Sequence, residues 1–203
     1  MNYEISISNK FTIMTPYMND DLQIATFAGG CFWCTEAVFL RIEGVEKVVS
    51  GYTGGQIKNP GYREICTGRT GHAEAIQVFY DEQKISFKEL LGIFFATHDP
   101  TTLNRQGNDI GTQYRSSIFY NSEIQKQEAE DFISYLEKES IFDNPIVTEI
   151  VPSEVFYNAE DYHQNYYHQN SEQAYCQFVI SPKLNKLKAM YSSKLKPNGQ
   201  KGA

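Results

Sequence analysis

The stretch LQIATFAGGCFWCTEAVFLRI, residues 22–42, decides the fold because it holds a strand, a sharp turn and a helix in succession. The apolar run Leu22–Ala28 predicts a strand that ends at Gly29-Gly30. From Phe32 to Ile42 apolar residues recur at helical spacing, which predicts a helix. Cys31 therefore lies between a glycine turn and the first turn of a helix.

The rest of the chain alternates strand and helix patterns. Four runs of β-branched or alternating apolar residues predict strands: Val45–Tyr52, Glu74–Tyr80, Arg115–Tyr120 and Ile146–Val151. Two capping boxes, Ser86-x-x-Glu89 and Ser122-x-x-Gln125, each predict a helix, and Ser181-Pro182 opens a last one. The order β-α-β-β-α-β-α-β predicts an α+β fold. Its first six elements follow the ferredoxin-like split βαβ plan, a two-layer sandwich of a mixed sheet with packed helices and an extended C-terminal region.

Length and composition limit the possible classes of protein. The 203 residues are 41% hydrophobic, enough for one core. We expect a single catalytic domain over residues 21–195, an N-terminal extension over 1–20 and a C-terminal tail over 196–203. No run of 18 apolar residues is present, so we expect no membrane span. The N-terminus lacks a signal-peptide pattern, so we expect a cytoplasmic protein.

The charge is acidic and uneven along the chain. The net charge is −7, which argues against nucleic acid as a partner. From Lys183 onward there are six lysines and no acidic residue, so residues 1–182 carry −13. A basic end of this kind is usually a solvated tail, with contact to an acidic partner as the alternative.

Cysteine is sparse, with Cys31, Cys34, Cys66 and Cys176. Four thiols in a chain of this length do not form a disulfide framework, so any disulfide here should be transient and chemical. A zinc site is disfavoured, because structural zinc sites usually show a second tightly spaced pair. We expect Cys66, beside Ile65, to be an inert buried thiol.

The segment Gly29–Cys34 carries the strongest chemical signal. A cysteine at a helix start is favoured as thiolate by free N–H groups and by the helix dipole, so we expect a depressed pKa for Cys31. Phe32 and Trp33 follow at once and can form an apolar pocket for a small group. The alternative is that all of these side chains are ordinary core residues.

Other candidate side chains lie in polar, glycine-rich or aromatic segments. Glu74 is flanked by small apolar residues, so we expect a partly desolvated carboxyl group that favours its protonated form. Tyr62 follows a Pro-Gly turn, Asp109 and Tyr114 share a polar loop, and His163 lies in EDYHQ. The alternatives are a solvent-facing Glu, a surface Tyr, a turn-forming Asp and a structural His.

Together these residues resemble one family, the peptide methionine sulfoxide reductases of A type. Six segments carry the resemblance in order between residues 22 and 190: GGCFWCTEAVF, VVSGYTGG, NPGYREICTGRTGHAEA, NDIGTQYRSSIFY, AEDYHQNY and AYCQFVISPK. The resemblance implies an α+β enzyme for repair of oxidised proteins. Its substrate would be the S-epimer of methionine sulfoxide, free or in protein.

The resemblance also implies roles for individual residues. Cys31 resembles the nucleophile, which attacks the sulfoxide sulfur and becomes a sulfenic acid. Phe32 and Trp33 resemble the pocket for the substrate methyl group. Tyr62, Glu74 and Tyr114 resemble the groups that hold and protonate the sulfoxide oxygen. Asp109 resembles a polar residue that lines the same pocket. We place His163 among the substrate-binding candidates as well.

Two thiols compete for the role of recycling Cys31. Many members have Gly at the position of Cys34, and many have a further Cys after the Tyr-Cys pair, which is absent here. We favour Cys176 as the resolving thiol, with Cys34 or a relay through both as the alternative. The resemblance implies thioredoxin as reductant, or dithiothreitol in vitro, without metal or organic cofactor. We expect a monomer.

Two other classes of function remain. A disulfide oxidoreductase would use Cys31 and Cys34 alone and would leave Glu74 and the tyrosines without a role. A binding module with an aromatic cleft would need no reactive thiol.

Overall fold

A six-stranded mixed sheet forms the centre of the computed structural model, which describes residues 22–197. The strands of the chain are β1 (Gln23–Gly29), β2 (Val45–Thr53), β3 (Ala73–Tyr80), β4 (Arg105–Gln106), β5 (Asp109–Ile110), β6 (Ser116–Tyr120), β7 (Glu149–Pro152) and β8 (Tyr157–Asn158). The sheet order is β7-β6-β1-β3-β2-β8, while β4 and β5 pair separately. All neighbours are antiparallel except β6 and β7.

Helices pack against this sheet. They are α1 (Phe32–Phe39), α2 (Tyr62–Ile65), α3 (Phe87–Thr97), α4 (Glu123–Lys138), α5 (Tyr166–Gln169) and α6 (Ser181–Tyr191). A π-helical turn, Cys176–Ile180, leads into α6. The predicted α+β class, with a mixed sheet and packed helices, is confirmed.

Two predicted elements end or begin three residues from their predicted positions, while the other strand ends agree to within one residue. Helix α1 stops at Phe39 and not at Ile42, because the N–H groups of Arg41 and Ile42 bond three residues back and tighten the chain into a turn. Strand β7 begins at Glu149 and not at Ile146. The N–H of Val147 bonds to the carbonyl of Pro100 and not to a neighbouring strand.

The core lies between the sheet and its helices. Phe27 of β1 stacks on Phe39 of α1 at 5.4 Å and on Phe94 of α3 at 4.9 Å between ring centroids. Burial of these aromatic rings fixes α1 and α3 against β1.

The capping box at Ser86 and Glu89 forms, with the Ser86 hydroxyl accepting from the N–H of Glu89 and the Glu89 carboxylate accepting from the N–H of Ser86. At Ser122 only half of the predicted box forms: its hydroxyl accepts from the N–H of Gln125, but the Gln125 side chain bonds to the N–H of Asn121 and to the carbonyl of Ile24.

Strand pairing brings distant segments to one edge of the sheet. Gly29 at the end of β1 pairs with Ser116 at the start of β6, and Tyr52 of β2 pairs with Glu74 at the start of β3. Because β1 runs antiparallel to β3 and β6, the segment after β1 meets the beginnings of those two strands. Cys31, Glu74 and Tyr114 therefore converge.

The predicted N-terminal extension, residues 1–20, lies outside the described residues, as does the predicted tail beyond residue 197. The start of that tail is bonded to the domain, since the N–H of Lys196 donates to the carbonyl of Arg41 at 2.9 Å. Across residues 22–197, no helix combines the length and apolar character needed to cross a membrane.

Candidate active site

A pocket of about 200 Å³ opens at this edge of the sheet. Its lining consists of Cys31, Phe32, Trp33, Tyr62, Glu74, Asp109, Tyr114 and Tyr175. Seven of the ten site residues predicted from the sequence are among these eight. The pocket thus combines a thiol, two carboxyl groups, three phenols and two apolar rings.

The glycine turn before α1 places Cys31 in this pocket. Gly30 has φ +88°, and a Cβ there would lie 2.5 Å from the side chain of Gln106. Both the conformation and the close approach require glycine. Cys31 is the N-cap residue of α1, yet its side chain makes no capping hydrogen bond. The free N–H of Phe32 donates instead to Glu74 Oε2 at 3.1 Å.

The expectation of a depressed pKa for Cys31 is wrong in this structure. Burial raises the pKa of the Cys31 thiol well above its usual value, and the hydrogen bond with Cys34 and the nearby Glu74 act in the same direction. The helix start does not compensate, because its nearest N–H is taken by Glu74. These surroundings favour the protonated thiol of Cys31.

The expectation for Glu74 is confirmed. The side chain of Glu74 is 2% exposed, and this burial raises its pKa to about 8. The charge of Asp109 raises the pKa further, whereas the hydrogen bond from the N–H of Phe32 lowers it. Near neutral pH the carboxyl group is therefore largely protonated. It can donate a hydrogen bond or a proton into the pocket.

Two phenols face the same space from short helical turns. Tyr62 opens α2, where its backbone N–H donates to Glu160 Oε1 at 2.9 Å, and Tyr114 ends the 3₁₀ turn Thr112–Tyr114. Burial raises the pKa of both phenols. Both hydroxyls therefore stay protonated and serve as hydrogen-bond donors.

Cys66 was expected to be buried, and this is wrong. Its thiol is exposed and lies beside the Tyr62 hydroxyl. The reason is the four-residue helix α2, which turns Ile65 into the core and leaves the next residue outside.

The apolar wall is formed by Phe32, which is fully buried, and Trp33. The indole of Trp33 stacks on Tyr166 with centroids 3.6 Å apart and planes 5° apart. Its Nε1–H donates to His163 Nδ1 at 3.1 Å. His163 is 1% exposed and is not among the residues that line the pocket, but its ring packs against those of Phe32 and Tyr62, which do. Its role in binding substrate stays a prediction.

Tyr175 is the pocket residue that sequence reasoning missed. Its hydroxyl donates to Asp109 Oδ2 at 2.8 Å and lies 3.8 Å from the sulfur of Cys34. The available signal was its position next to Cys176 in a polar aromatic segment. Nothing in that pattern links it to Asp109, 66 residues away.

A second cavity of about 240 Å³, the Cys34 cleft, adjoins the pocket. It is lined by Cys31, Cys34, Gln106, Gly107, Asn108, Asp109, Tyr175, Phe178, Val179 and Lys183. The Cys31 thiol donates a hydrogen bond to Cys34. This hydrogen bond lowers the pKa of Cys34 to about 7, although burial raises it. Both thiols line this cleft.

Cys176 is placed differently. Its side chain is fully buried at the start of the π-helical turn and lines neither cavity. Burial raises the pKa of its thiol. The expectation that its segment approaches Cys31 therefore finds no direct support, because the side chain packs into the core. All four cysteines are free thiols.

The thiols are not arranged as ligands of a metal. Over the described range 22–197, no three or more His, Cys, Asp or Glu side chains gather in a way that could hold a metal ion. The arrangement instead suits acid-assisted attack by sulfur, with a second thiol alongside.

The family model for peptide methionine sulfoxide reductase matches residues 23–195. The peptide methionine sulfoxide reductase MsrA of Deinococcus radiodurans is 58% identical over 172 residues, which cover 85% of this chain and 84% of that protein.

Solved structures agree with this match. Methionine sulfoxide reductase A of Corynebacterium diphtheriae superposes with a TM-score of 0.71 at 38% identity, covering 74% of this chain and 76% of that one. Reduced Mxr1 from Saccharomyces cerevisiae superposes with a TM-score of 0.70 at 36% sequence identity, and the match covers 76% of this chain and 89% of Mxr1. Mxr1 in complex with Trx2 superposes with a TM-score of 0.51 at 27% sequence identity, and the match covers 73% of this chain and 88% of Mxr1. The chain belongs to the peptide methionine sulfoxide reductase family, A type, and is an enzyme that reduces peptide methionine sulfoxide.

Proposed function

We propose that this enzyme reduces the S-epimer of methionine sulfoxide, free or in oxidised proteins, with Cys31 as nucleophile and Glu74 as general acid. The observation that carries the proposal is the pocket in which the Cys31 thiol and a carboxyl group with a pKa of about 8 share one wall. A sulfoxide sulfur is a poor electrophile until its oxygen is protonated. Glu74 supplies that proton at neutral pH.

The first step balances within the pocket. Glu74 gives its proton to the sulfoxide oxygen as the Cys31 sulfur bonds to the substrate sulfur, and the Cys31 proton replaces it on the carboxylate. The hydroxyl group then passes to the Cys31 sulfur while the bond between the two sulfurs breaks. Methionine leaves, its sulfur reduced by two electrons, and Cys31 remains as a sulfenic acid. The raised pKa of Cys31 fits this order, since its proton leaves only when Glu74 can take it.

The remaining pocket groups set the orientation of the substrate. Tyr62 and Tyr114 hold the oxygen by hydrogen bonds that strengthen as charge develops on it. Phe32 and Trp33 take the terminal methyl group, and Asp109, fixed by Tyr175, lines the polar side. Three different walls around a chiral sulfur favour one epimer.

Cys34 resolves the sulfenic acid in this proposal, ahead of Cys176. The support is that Cys31 and Cys34 line the same cleft and influence each other through a thiol hydrogen bond, whereas Cys176 is fully buried and lines neither cavity. Residues three apart at a helix start lie within the range that a disulfide spans. Cys176 then serves at most in a later relay.

Electrons come from an external dithiol protein such as thioredoxin, without a bound metal or organic cofactor. Support for thioredoxin comes from the yeast relative, whose structure is known in complex with Trx2. Four free thiols suit a reducing compartment such as the cytoplasm.

We also propose that the four central strands follow the ferredoxin-like split βαβ plan. The support is their order, β6-β1-β3-β2, with antiparallel neighbours throughout. Strands β7 and β8 then extend this core at its two edges.

The test is a single-turnover assay with each epimer of free methionine sulfoxide and no external reductant. The wild-type chain should release about one methionine from the S-epimer and essentially none from the R-epimer. Cys31→Ser should abolish release, because an alcohol lacks the nucleophilicity of a thiolate. Residual release above about a tenth of wild type would rule out Cys31 as the nucleophile. Reduction of a disulfide substrate without reduction of sulfoxide would favour a disulfide oxidoreductase.

A further inference from the structure

Lys183 has no part in the first step, yet it lines the Cys34 cleft. It lies in the first turn of α6 and is half-buried there, in the same cleft as Cys34 and Tyr175. Among the carboxylates of residues 22–197, none lies within ion-pair distance of it. A half-buried cation without a carboxylate partner faces the thiols.

The other groups around Cys34 leave its thiolate short of positive charge. Asp109 lies in the same cleft and disfavours a thiolate, and Glu74 and Cys176 are within electrostatic range. Tyr175 approaches Cys34 at 3.8 Å, but its proton is donated to Asp109. The Cys31 thiol donates a hydrogen bond to Cys34 while Cys31 is reduced. Once Cys31 is a sulfenic acid, only its S–OH group can donate one.

We propose that Lys183 is a positioning residue for the resolving step, holding Cys34 as the thiolate that attacks the sulfenic acid of Cys31. This inference rests on the proposed function. Lys183 acts through Cys34 and touches no substrate atom.

The step balances as follows. The Cys34 thiolate attacks the Cys31 sulfur, the S–S bond forms and the S–O bond breaks. The hydroxide leaves as water after it takes the proton of Glu74, which regains one from solvent. The Cys31 sulfur is reduced and the Cys34 sulfur oxidised to the level of a disulfide. The negative charge that Lys183 balances exists before the attack and disappears with it.

The charge of Lys183 acts on Cys34 in the required direction. After the hydrogen bond from Cys31, the charge of Lys183 is the strongest influence that lowers the pKa of Cys34, ahead of the hydrogen bond from Tyr175, whereas burial and the charge of Asp109 raise it. Removing the cation should therefore raise the pH at which the thiolate forms. The resolving rate at pH 7 should fall, and it should recover as the pH is raised.

The experiment follows the full-length chain after rapid mixing with one equivalent of free methionine-S-sulfoxide, without reductant. Released methionine reports the first step. Trapping with dimedone and mass spectrometry report the decay of the sulfenic acid and the appearance of the Cys31–Cys34 disulfide. The variants are Lys183→Met, Lys183→Arg and, as a matched control on the same helix, Lys186→Met at an exposed position.

With Lys183→Met we expect disulfide formation to slow roughly three- to tenfold at pH 7, with the midpoint of its pH profile displaced upward. Lys183→Arg and Lys186→Met should follow the wild-type profile. One equivalent of methionine from every variant shows that each is folded and that the first step is intact.

Three results would overturn the inference. Equal rates for Lys183→Met and Lys186→Met would show that Lys183 does not act on Cys34. A wild-type chain that forms its first disulfide through Cys176 would remove Cys34 from the step, while the methionine burst keeps the proposed function intact. Absence of the burst in the wild-type chain would reject the proposed function and the inference with it.

Discussion

Glu74 shows how a single buried carboxyl group can act as an acid near neutral pH. Its side chain is 2% exposed, and its pKa is about 8. The proton is therefore present below that pH and lost above it. The pH dependence of the chemical step should follow this group.

We predict that Glu74→Gln lowers the rate of methionine release in a single turnover by about 10²- to 10⁴-fold, the usual contribution of a general acid. The amide keeps the shape and can donate a hydrogen bond, but it gives up no proton. In the wild type the rate should decline as the pH rises through about 8. That decline should be missing in the variant. Rapid-quench measurements between pH 6 and 10 check both points.

Substrate affinity provides the control for this variant. Binding of methionine sulfoxide should change less than the chemical step, because the phenols and the apolar wall remain. If Glu74→Gln releases methionine at the wild-type rate, Glu74 has a structural role only.

At this scale the sequence predicted residue types well and their environments less well. Cys31, Glu74, Tyr62 and Tyr114 could be selected because each lies in a distinctive local segment. The raised pKa of Cys31 could not be predicted, since it depends on where the N–H of Phe32 is directed. The same limit applies to Tyr175, whose partner comes from a distant strand.

Elements, and not single contacts, hold Trp33 in place. Glu36 on α1 accepts the N–H groups of Asn165 and Tyr166 at 2.7 and 3.2 Å, at the start of α5. Tyr166 in turn stacks on Trp33. Helix α1 thus fixes the short helix that supports the side wall of its own pocket.

We predict that Tyr166→Ala raises the KM for methionine sulfoxide by roughly two- to tenfold, because an aromatic pair contributes about 0.5–1.5 kcal/mol. The indole would lose its stacked partner and would hold the methyl group less firmly. Tyr166→Phe is the matched control, since it keeps the stacked ring and loses only the hydroxyl bond to Gln173. Steady-state kinetics with dithiothreitol measure both variants, and identical KM values for Ala and Phe would contradict the prediction.

Elements with strong periodicity were predicted from the sequence, and short ones were not. The strands and helices next to Cys31 and the capping boxes carry clear patterns. In contrast, β4, β5 and β8 span two residues each, too few for an alternation to be visible. Their pairing is set by the chain around them.

On the scale of the whole molecule, the C-terminal segment returns to the end of α1. The N–H of Glu43 donates to the carbonyl of Lys194 at 2.8 Å, and the N–H of Lys196 donates to the carbonyl of Arg41 at 2.9 Å. The ammonium group of Lys194 also pairs with Glu89 on α3. The sequence alone suggested a tail from residue 196 onward, because this lysine-containing end has no apolar periodicity to indicate where it packs.

We predict that deleting residues 192–203 lowers the melting temperature by roughly 5–10 °C, while deleting 198–203 changes it little. The first deletion removes both backbone bonds and the ion pair, each worth about 1 kcal/mol at most, and one kcal/mol corresponds to about 2–4 °C at this size. The second deletion removes none of them. Thermal unfolding of the two truncated chains beside the wild type gives the comparison.

Lowering the pH should reduce the difference in melting temperature between the two truncated chains. The bond with Lys194, with the N–H of Ser86 assisting, lowers the pKa of Glu89 to about 2 from 4.5. A carboxylate with a depressed pKa stabilises the fold fully above pH 4.5, and that contribution is lost as the pH falls through about 2. Because both partners are partly exposed, the effect is small and salt should weaken it. The gap in melting temperature should therefore shrink between pH 5 and 2 but keep the part that comes from the backbone bonds. Equal melting temperatures of the two truncated chains at pH 7 would show that the return of the C-terminus to α1 does not stabilise the fold.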